Sequence, residues 1–329
     1  MKFRVNNLLV TGGAGFIGSN FIEYIIEKYN KVNIYNLDLL TYAGNLENTK
    51  KFCDNSRYFF INGDICDYNL LSRLFSENKI DGVINFAAES HVDNSILNPE
   101  YFVNTNINGV FNILRVCFEN WMNSPFKVKP QYSHARFHQI STDEVYGSIE
   151  KGSFDENSNY NPNSPYSASK ASADLLIRSF NRTYGLDTTI SLASNNYGPN
   201  QHKEKLIPKL INSIKNNQPI KIYGDGSNIR DWIYVRDHCI AIDKIFNFSK
   251  NGEKYNIGGG FELSNIDLVK FIYSLSGSGE KILFIEDRHG HDFRYSLNSK
   301  KIYKELGFKA NTDFKTIMKK LINNIKKKQ

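Results

Sequence analysis

Residues 141–170 hold the side chains best suited to moving protons at an alcohol carbon. The run Ser141-Thr142-Asp143-Glu144-Val145-Tyr146-Gly147 sets two carboxylates side by side, and Tyr166-Ser167-Ala168-Ser169-Lys170 follows after a polar interval. Tyr166 and Lys170 stand four positions apart in a segment that reads as a helix, so phenol and ammonium share one face. A hydroxyl, an ammonium and paired carboxylates can remove and return protons at a sugar or alcohol carbon. A free phenol near pKa 10 is a poor base at neutral pH. Making it an effective one takes roughly 4 kcal/mol of preferential stabilisation of the anion, which nearby positive charge in a sheltered site can supply.

These groups need a scaffold, and the chain spells one out. Asp143 and Glu144 follow an apolar run ending at Ile140, at the mouth of an expected strand. Near the start, Leu8-Leu9-Val10 leads into Thr11-Gly12-Gly13-Ala14-Gly15-Phe16-Ile17-Gly18 and an amphipathic segment to about Tyr29. Strand, glycine turn and helix in that order can present bare backbone N–H groups to a pyrophosphate. A second apolar run, 32–37, ends in Asp38, twenty positions after Gly18. That spacing suits a carboxylate hydrogen-bonding an adenosine ribose, and its charge would repel a 2′-phosphate, so NAD is expected rather than NADP.

Strand-like runs at 58–61, 83–86, 137–140 and 188–192 alternate with helix-like stretches at 68–77, 103–121 and 166–184. Such alternation predicts an α/β chain with a Rossmann-type doubly wound parallel sheet. Ligand-binding groups should gather beyond the carboxyl ends of the strands, where Asp64-Ile65, Ala87-Ala88-Glu89-Ser90-His91 and Thr142-Asp143-Glu144 fall. After Leu192 the alternation weakens into a turn-rich loop at 194–201, a helix around 206–215, the run 220–223, then Gly224-Asp225-Gly226 and Arg230-Asp231-Trp232. This predicts a smaller mixed α/β lobe, with Lys205, Arg230 and Arg288 available to a diphosphate.

Composition narrows the function classes. The chain has 329 residues, 40% of them hydrophobic, which excludes a disordered or membranous protein. Its formal charge of +7 is spread out except for Lys319, Lys320, Lys326, Lys327 and Lys328. That cluster reads as a solvated tail, so no nucleic acid is expected. Cys53, Cys66, Cys117 and Cys239 are scattered without ligand spacing, no apolar run reaches spanning length and no secretory signal opens the chain. A cytoplasmic setting without membrane attachment is the expectation. No metal is expected either: His91 lacks partners at ligand spacing, and His289 and His291 read as part of an anion-facing loop.

The chain resembles the extended short-chain dehydrogenases/reductases, specifically the nucleoside-diphosphoglucose 4,6-dehydratases. The resemblance rests on Thr11-Gly12-x-x-Gly15-x-x-Gly18, Ala87-Ala88-Glu89-Ser90-His91-Val92-Asp93, Ser141-Thr142-Asp143-Glu144-Val145-Tyr146-Gly147, Tyr166-Ser167-Ala168-Ser169-Lys170, Ser194-Asn195-Asn196-Tyr197-Gly198-Pro199 and Arg230-Asp231-Trp232. The adjacent Asp143 and Glu144 separate it from related epimerases and decarboxylases, which lack one or both acids.

The resemblance implies that Tyr166, as phenolate assisted by Lys170, takes the C4 hydroxyl proton while hydride passes to NAD. Glu144 then removes the C5 proton, Asp143 protonates the departing C6 hydroxyl, and hydride returns to C6. Thr142 is expected at the C4 oxygen, and Ser90 and Asn196 at the hexose. For the cofactor it implies Gly12, Gly15, Phe16, Ile17 and Gly18, then Asp38, Thr41, Asp64 and Ile65. Ala87, Ala88, Ser90, Tyr166 and Lys170 complete that set, with Asn195 at the nicotinamide. Lys205, Leu206, Tyr223, Arg230, Asn256, Arg288 and His291 would meet the nucleotide and diphosphate.

The expected division is residues 1–193 for NAD, with a returning segment near 234–257, and 194–329 mainly for the nucleotide sugar. A homodimer through 103–121 and 166–184 is implied, against the alternative that those faces are consumed within one chain. Leu39, where the family often has Lys, and the late loop Arg288-His289-Gly290-His291, where it has Pro, depart from the pattern. UDP and dTDP both remain open as the nucleotide. A sugar-nucleotide epimerase or decarboxylase and a non-catalytic NAD-binding scaffold stand as alternatives.

Overall fold

The short run Leu8-Leu9-Val10 has no solvent exposure on either face, as a strand covered on both sides requires. In the computed structural model, which describes residues 3–287 and 289–326, it belongs to an interior strand of a seven-stranded sheet. We label the strands of this sheet in chain order: β1 (Asn7–Thr11), β2 (Asn33–Asp38), β3 (Tyr58–Asn62), β4 (Gly82–Asn85), β5 (Arg136–Thr142), β6 (Thr188–Ala193) and β7 (Lys254–Ile257). Their spatial order is β7-β6-β5-β4-β1-β2-β3, and every neighbouring pair is parallel. The order reverses between β1 and β4, which opens a crevice at their carboxyl ends. The expected doubly wound α/β fold is therefore present.

Helices pack on both faces. One layer holds Leu71, Phe75, Ile113, Leu114, Trp121, Ile177 and Phe180 against Leu9, Val83 and Phe137. The other holds Phe21, Ile25, Ile242 and Phe246 against Leu8, Val10 and Ile84. The returning segment supplies helix Val235–Phe248 to that second layer and β7 to the sheet edge.

The turn after β1 depends on glycine at two points. Gly12 has φ +70°, and a Cβ there would lie 2.7 Å from the Ala87 nitrogen. A Cβ on Gly18 would collide with the Gly12 carbonyl, so helix Phe16–Lys28 could not lie so near the strand.

Helix Pro165–Tyr184 is bounded by local chemistry. Ser164 caps its start reciprocally with Ser167, Pro165 takes the first helical position, and Gly185 ends it at φ +74°. The continuous helix expected over 103–121 is instead a π-helical stretch, Val103–Gly109, followed by Val110–Trp121. The buried Asn106 side chain explains the deviation. It bonds both the N–H and the C=O of Glu89 (2.9 and 3.0 Å) and Ser169 Oγ at 2.8 Å, tying the loop after β4 to the long helix.

Residues read as turns and loops in the second lobe turn out to include strands. Asn195–Tyr197 pairs in parallel with Ile229–Tyr234, which pairs antiparallel with Glu262–Ser264. Ile220–Tyr223 pairs with Ile282–Ile285. Each is only three to six residues long, too short to show a period through turn residues. This lobe's core joins Tyr197, Leu210, Ile222, Trp232, Ile272 and Met318.

Candidate active site

A cleft of about 1290 Å³ lies over the carboxyl ends of the strands and extends onto the second lobe. Strand β5 runs straight into the single turn Asp143–Tyr146, and Thr142 caps that turn by accepting the Glu144 N–H at 3.3 Å. The change from strand to turn points both acids at the cleft. Tyr166 and Lys170, one turn apart near the start of helix Pro165–Tyr184, form part of the same wall. Thr142, Asp143, Glu144, Tyr166 and Lys170 thus line one cleft.

Their electrostatics differ sharply. Asp143 is 2% exposed; it accepts the Thr142 hydroxyl at 3.2 Å, and its Oδ2 has no hydrogen-bond partner among the described residues. Burial foremost, then the Glu144 and Asp231 carboxylates, push its carboxyl well above the usual range, against the weaker pull of Arg230 and Thr142. Asp143 therefore holds its proton more tightly than an exposed carboxyl does. Burial also raises the Tyr166 phenol, with Glu144 adding to it and a hydrogen bond with Thr142 opposing.

Lys170 is buried, donates from Nζ to the Ile140 carbonyl at 2.7 Å, and is brought down to about 8 by loss of solvent despite Asp174. In the protein alone Tyr166 stays protonated, because burial outweighs every anion-stabilising contact. A further positive charge in the cleft is needed to release its proton.

One half of the cleft suits a dinucleotide. The helix start at Phe16 is capped by Gly15, which has no side chain to spend on it, and the first turn contains no acid. Its N–H groups are left for an anion. Asp38, at the end of β2, is 7% exposed and held by the N–H groups of Ala14 and Leu40, both at 2.8 Å. Those bonds fix the carboxylate while leaving lone pairs for ribose hydroxyls. Gly12, Gly15, Phe16, Ile17, Gly18, Thr41, Asp64, Ile65, Ala87, Ala88 and Asn195 line the cleft with it. The residues present fit NAD.

The other half gathers Ser90, Asn196, Lys205, Leu206, Tyr223, Arg230 and His291. Arg230 is braced by the carbonyls of Ile229 (2.8 Å) and Asp292 (2.9 Å) and lies over the Tyr295 ring at 4.3 Å. His291 Nδ1 is 2.7 Å from Asp287, whereas His289 is exposed and outside the lining. Lys205 donates to the Ser90 carbonyl at 3.0 Å and Tyr223 to Asp93 at 3.1 Å, so they span from the lobe to the loop after β4 and to the short helix Val92–Leu97 that follows it.

Asn256 is a correction. It is fully buried in β7, where its side chain accepts from Tyr146 at 3.0 Å and donates to the Phe154 carbonyl at 3.0 Å. That edge strand turns the residue inward, away from the cleft. Asn265, at the start of helix Asn265–Ser276, lines the cleft without having been expected there. Its signal in the sequence is Ser264 with Asp267 three places on, which marks a helix start. Arg288 lies outside the described residues. Trp232 and His238 also line the cleft without having been expected there.

Fold and site together define a dinucleotide-binding enzyme that handles protons at a polyol. Comparison with known proteins makes this particular. The sequence pattern of the GDP-mannose 4,6 dehydratase family matches residues 9–321. The dTDP-glucose 4,6-dehydratase of Neisseria gonorrhoeae is 43% identical, covering 96% of this chain and 94% of that one. The low-salt glycan biosynthesis protein Agl12 of Haloferax volcanii is 45% identical over 94% of each. The crystal structure of DesIV, the dTDP-glucose 4,6-dehydratase of Streptomyces venezuelae, with NAD and dTDP bound, superposes with a TM-score of 0.91. It is 40% identical and covers 98% of this chain and 97% of that one. The chain belongs to the nucleotide-sugar 4,6-dehydratase family.

Proposed function

We propose that the chain carries out NAD-dependent 4,6-dehydration of a nucleoside-diphosphate glucose, with dTDP-glucose as the preferred substrate. The observation that carries the reading is the neighbouring pair of acids at the cleft, one of them, Asp143, buried so that its affinity for a proton is raised. Two carboxyls with separated affinities can divide acid and base work.

NAD, when bound, accepts hydride from C4 and gives it back to C6. Tyr166 takes the C4 hydroxyl proton once the positive cofactor offsets the burial that keeps the phenol neutral, and Thr142 holds the C4 oxygen. Glu144 removes the C5 proton, made acidic by the C4 ketone, and Asp143 passes its proton to the leaving C6 hydroxyl. Ser90 and Asn196 hold the hexose. Lys205, Leu206, Tyr223, Arg230 and His291, with Arg288, take the nucleotide and diphosphate. Residues 1–193 and 234–257 serve the cofactor and the remainder of 194–329 the substrate. The dTDP preference follows the dTDP-glucose 4,6-dehydratases of Neisseria gonorrhoeae, Salmonella typhimurium and Escherichia coli, which this chain resembles at 43–44% identity.

We further propose a cytoplasmic homodimer, paired through the helical face that leaves Leu97, Tyr101, Val103, Phe111 and Leu175 exposed. A second copy of that face would cover them. No helix among the described residues is long and apolar enough to cross a membrane.

Mass spectrometry of dTDP-glucose and UDP-glucose incubated with the protein tests the activity. A product lighter by one water, formed faster from dTDP-glucose, is expected. An unchanged mass with both substrates removes the reading, and turnover of UDP-galactose or UDP-glucuronate alone moves it to an epimerase or decarboxylase.

A further inference from the structure

We propose that His238 is a positioning residue that sets the Asn196 side chain for the hexose, an inference that rests on the 4,6-dehydratase reading. The two residues come from adjoining segments. Asn196 lies in strand Asn195–Tyr197 opposite Ile233, and strand Ile229–Tyr234 passes straight into helix Val235–Phe248, whose fourth residue is His238. His238 Nδ1 is 2.9 Å from Asn196 Oδ1, and both residues line the cleft.

The neighbouring bonds decide which atom donates. Asn196 Nδ2 donates to the Ser194 carbonyl at 3.0 Å, and a carbonyl can only accept. That carbonyl is itself fixed, since the Ser194 N–H bonds the Ile257 carbonyl and its hydroxyl accepts the Gly259 N–H at 3.2 Å. The amide oxygen of Asn196 therefore faces His238, and Nδ1 carries the hydrogen. The Asn196 backbone is held separately, by pairing with Ile233 and by Gln201 Nε2, which donates to its carbonyl at 2.9 Å. With the amide fixed at both ends, one of its N–H groups and one lone pair of its oxygen are left for a ligand among the described contacts.

A second buried imidazole gives the contrast. His138 has both nitrogens partnered, by Thr189 Oγ1 at 2.8 Å and Ser191 Oγ at 3.0 Å, and stays out of the cleft lining. His238 is as fully buried, yet its Nε2 has no hydrogen-bond partner among the described residues. A bare buried nitrogen costs stability, so packing alone does not account for a histidine here. Its Nδ1–H does. Burial brings the imidazole down to about 3 and keeps it neutral, with a single N–H to give.

His238→Phe keeps a ring in place and removes the donor. In the holoenzyme KM for dTDP-glucose should rise roughly 2- to 10-fold, the worth of one hydrogen bond. Inhibition by dTDP, which has no hexose, should stay at its wild-type value. Asn196→Ala should also raise KM, and adding His238→Phe to it should raise it no further. His238→Asn, which offers an amide N–H near the place of Nδ1–H, should recover part of the loss.

An unchanged KM, equal weakening of dTDP and dTDP-glucose, or independent losses in the double variant overturns the proposal. Should His238→Phe fail to fold, nitrogen NMR of the wild-type imidazole decides: a hydrogen on Nδ1 supports the proposal, and one on Nε2 overturns it. A wild-type protein that turns over neither nucleotide sugar refutes the dehydratase reading. Calorimetry with dTDP-glucose and dTDP then reads the same difference between wild type and His238→Phe, and the NMR measurement still identifies the donor.

Discussion

At the scale of single residues, one buried environment shifts three titratable groups. Burial raises the Asp143 carboxyl, with like charge adding to it, and the Tyr166 phenol, and it lowers the Lys170 ammonium. The site thus stores an acid and withholds a phenolate until positive charge arrives. Glu144→Gln should let C4 oxidation proceed and stop elimination, so absorbance of bound NADH should accumulate on addition of dTDP-glucose. Full turnover by that variant would remove Glu144 from its role. Asp143→Asn should lower turnover by about 10²–10⁴-fold, the usual contribution of a positioned proton donor.

That second substitution also bears on stability. The raised affinity of Asp143 means the native state binds more protons than the unfolded chain above about pH 4, so this group lowers stability as pH rises. Asp143→Asn should therefore melt at a higher temperature than wild type at pH 7. The difference should vanish near pH 3, where the carboxyl is protonated in both states. Thermal melts at the two pH values check the sign.

At the scale of elements, the site depends on how three of them begin or end. Strand β5 stops at Thr142 and turns, helix Phe16–Lys28 starts on a bare glycine, and helix Pro165–Tyr184 starts on a reciprocal serine cap. Ser164→Ala removes one half of that cap. It should cost about 1 kcal/mol of stability, read as a lower Tm, and should reduce kcat because Tyr166 is the second residue of the helix. The π-helical stretch Val103–Gly109 belongs to the same set of devices, since its Asn106 ties the Glu89 backbone to Ser169, the neighbour of Lys170.

For the whole molecule, the cleft is made by two layers of one chain meeting over a shared floor. Lys205 and Tyr223 reach from the lobe to the loop after β4 and the helix Val92–Leu97, so substrate must enter between elements that already touch. A second copy of the chain would bury the face around Phe111 and Leu175, whose helices carry the buried residues behind the active site. Leu175→Glu should shift the sedimentation coefficient from dimer to monomer while leaving the circular dichroism spectrum in place. A wild-type chain that sediments as a monomer would remove that arrangement.

The chemistry of this protein was written locally and so could be read from sequence. The glycine turn, Asp38 at the end of an apolar run, Asp143 beside Glu144, and Tyr166 one turn from Lys170 depend on neighbours within a few positions, where strand and helix periods settle which side chains share a face. Long buried strands likewise announce themselves by composition. What depends on contacts between distant segments was decided only by folding. Asn256 and Asn265 look equally suitable as polar residues, yet one is turned inward by an edge strand and the other opens a helix at the cleft. Asp174 is an ordinary helical acid until β5 brings the Ser141 hydroxyl against it, and the short lobe strands exist through their partners alone. The raised proton affinity of Asp143 was hidden for the same reason. Burial, the largest influence on it, is a property of the packed molecule and has no counterpart in the order of residues along the chain.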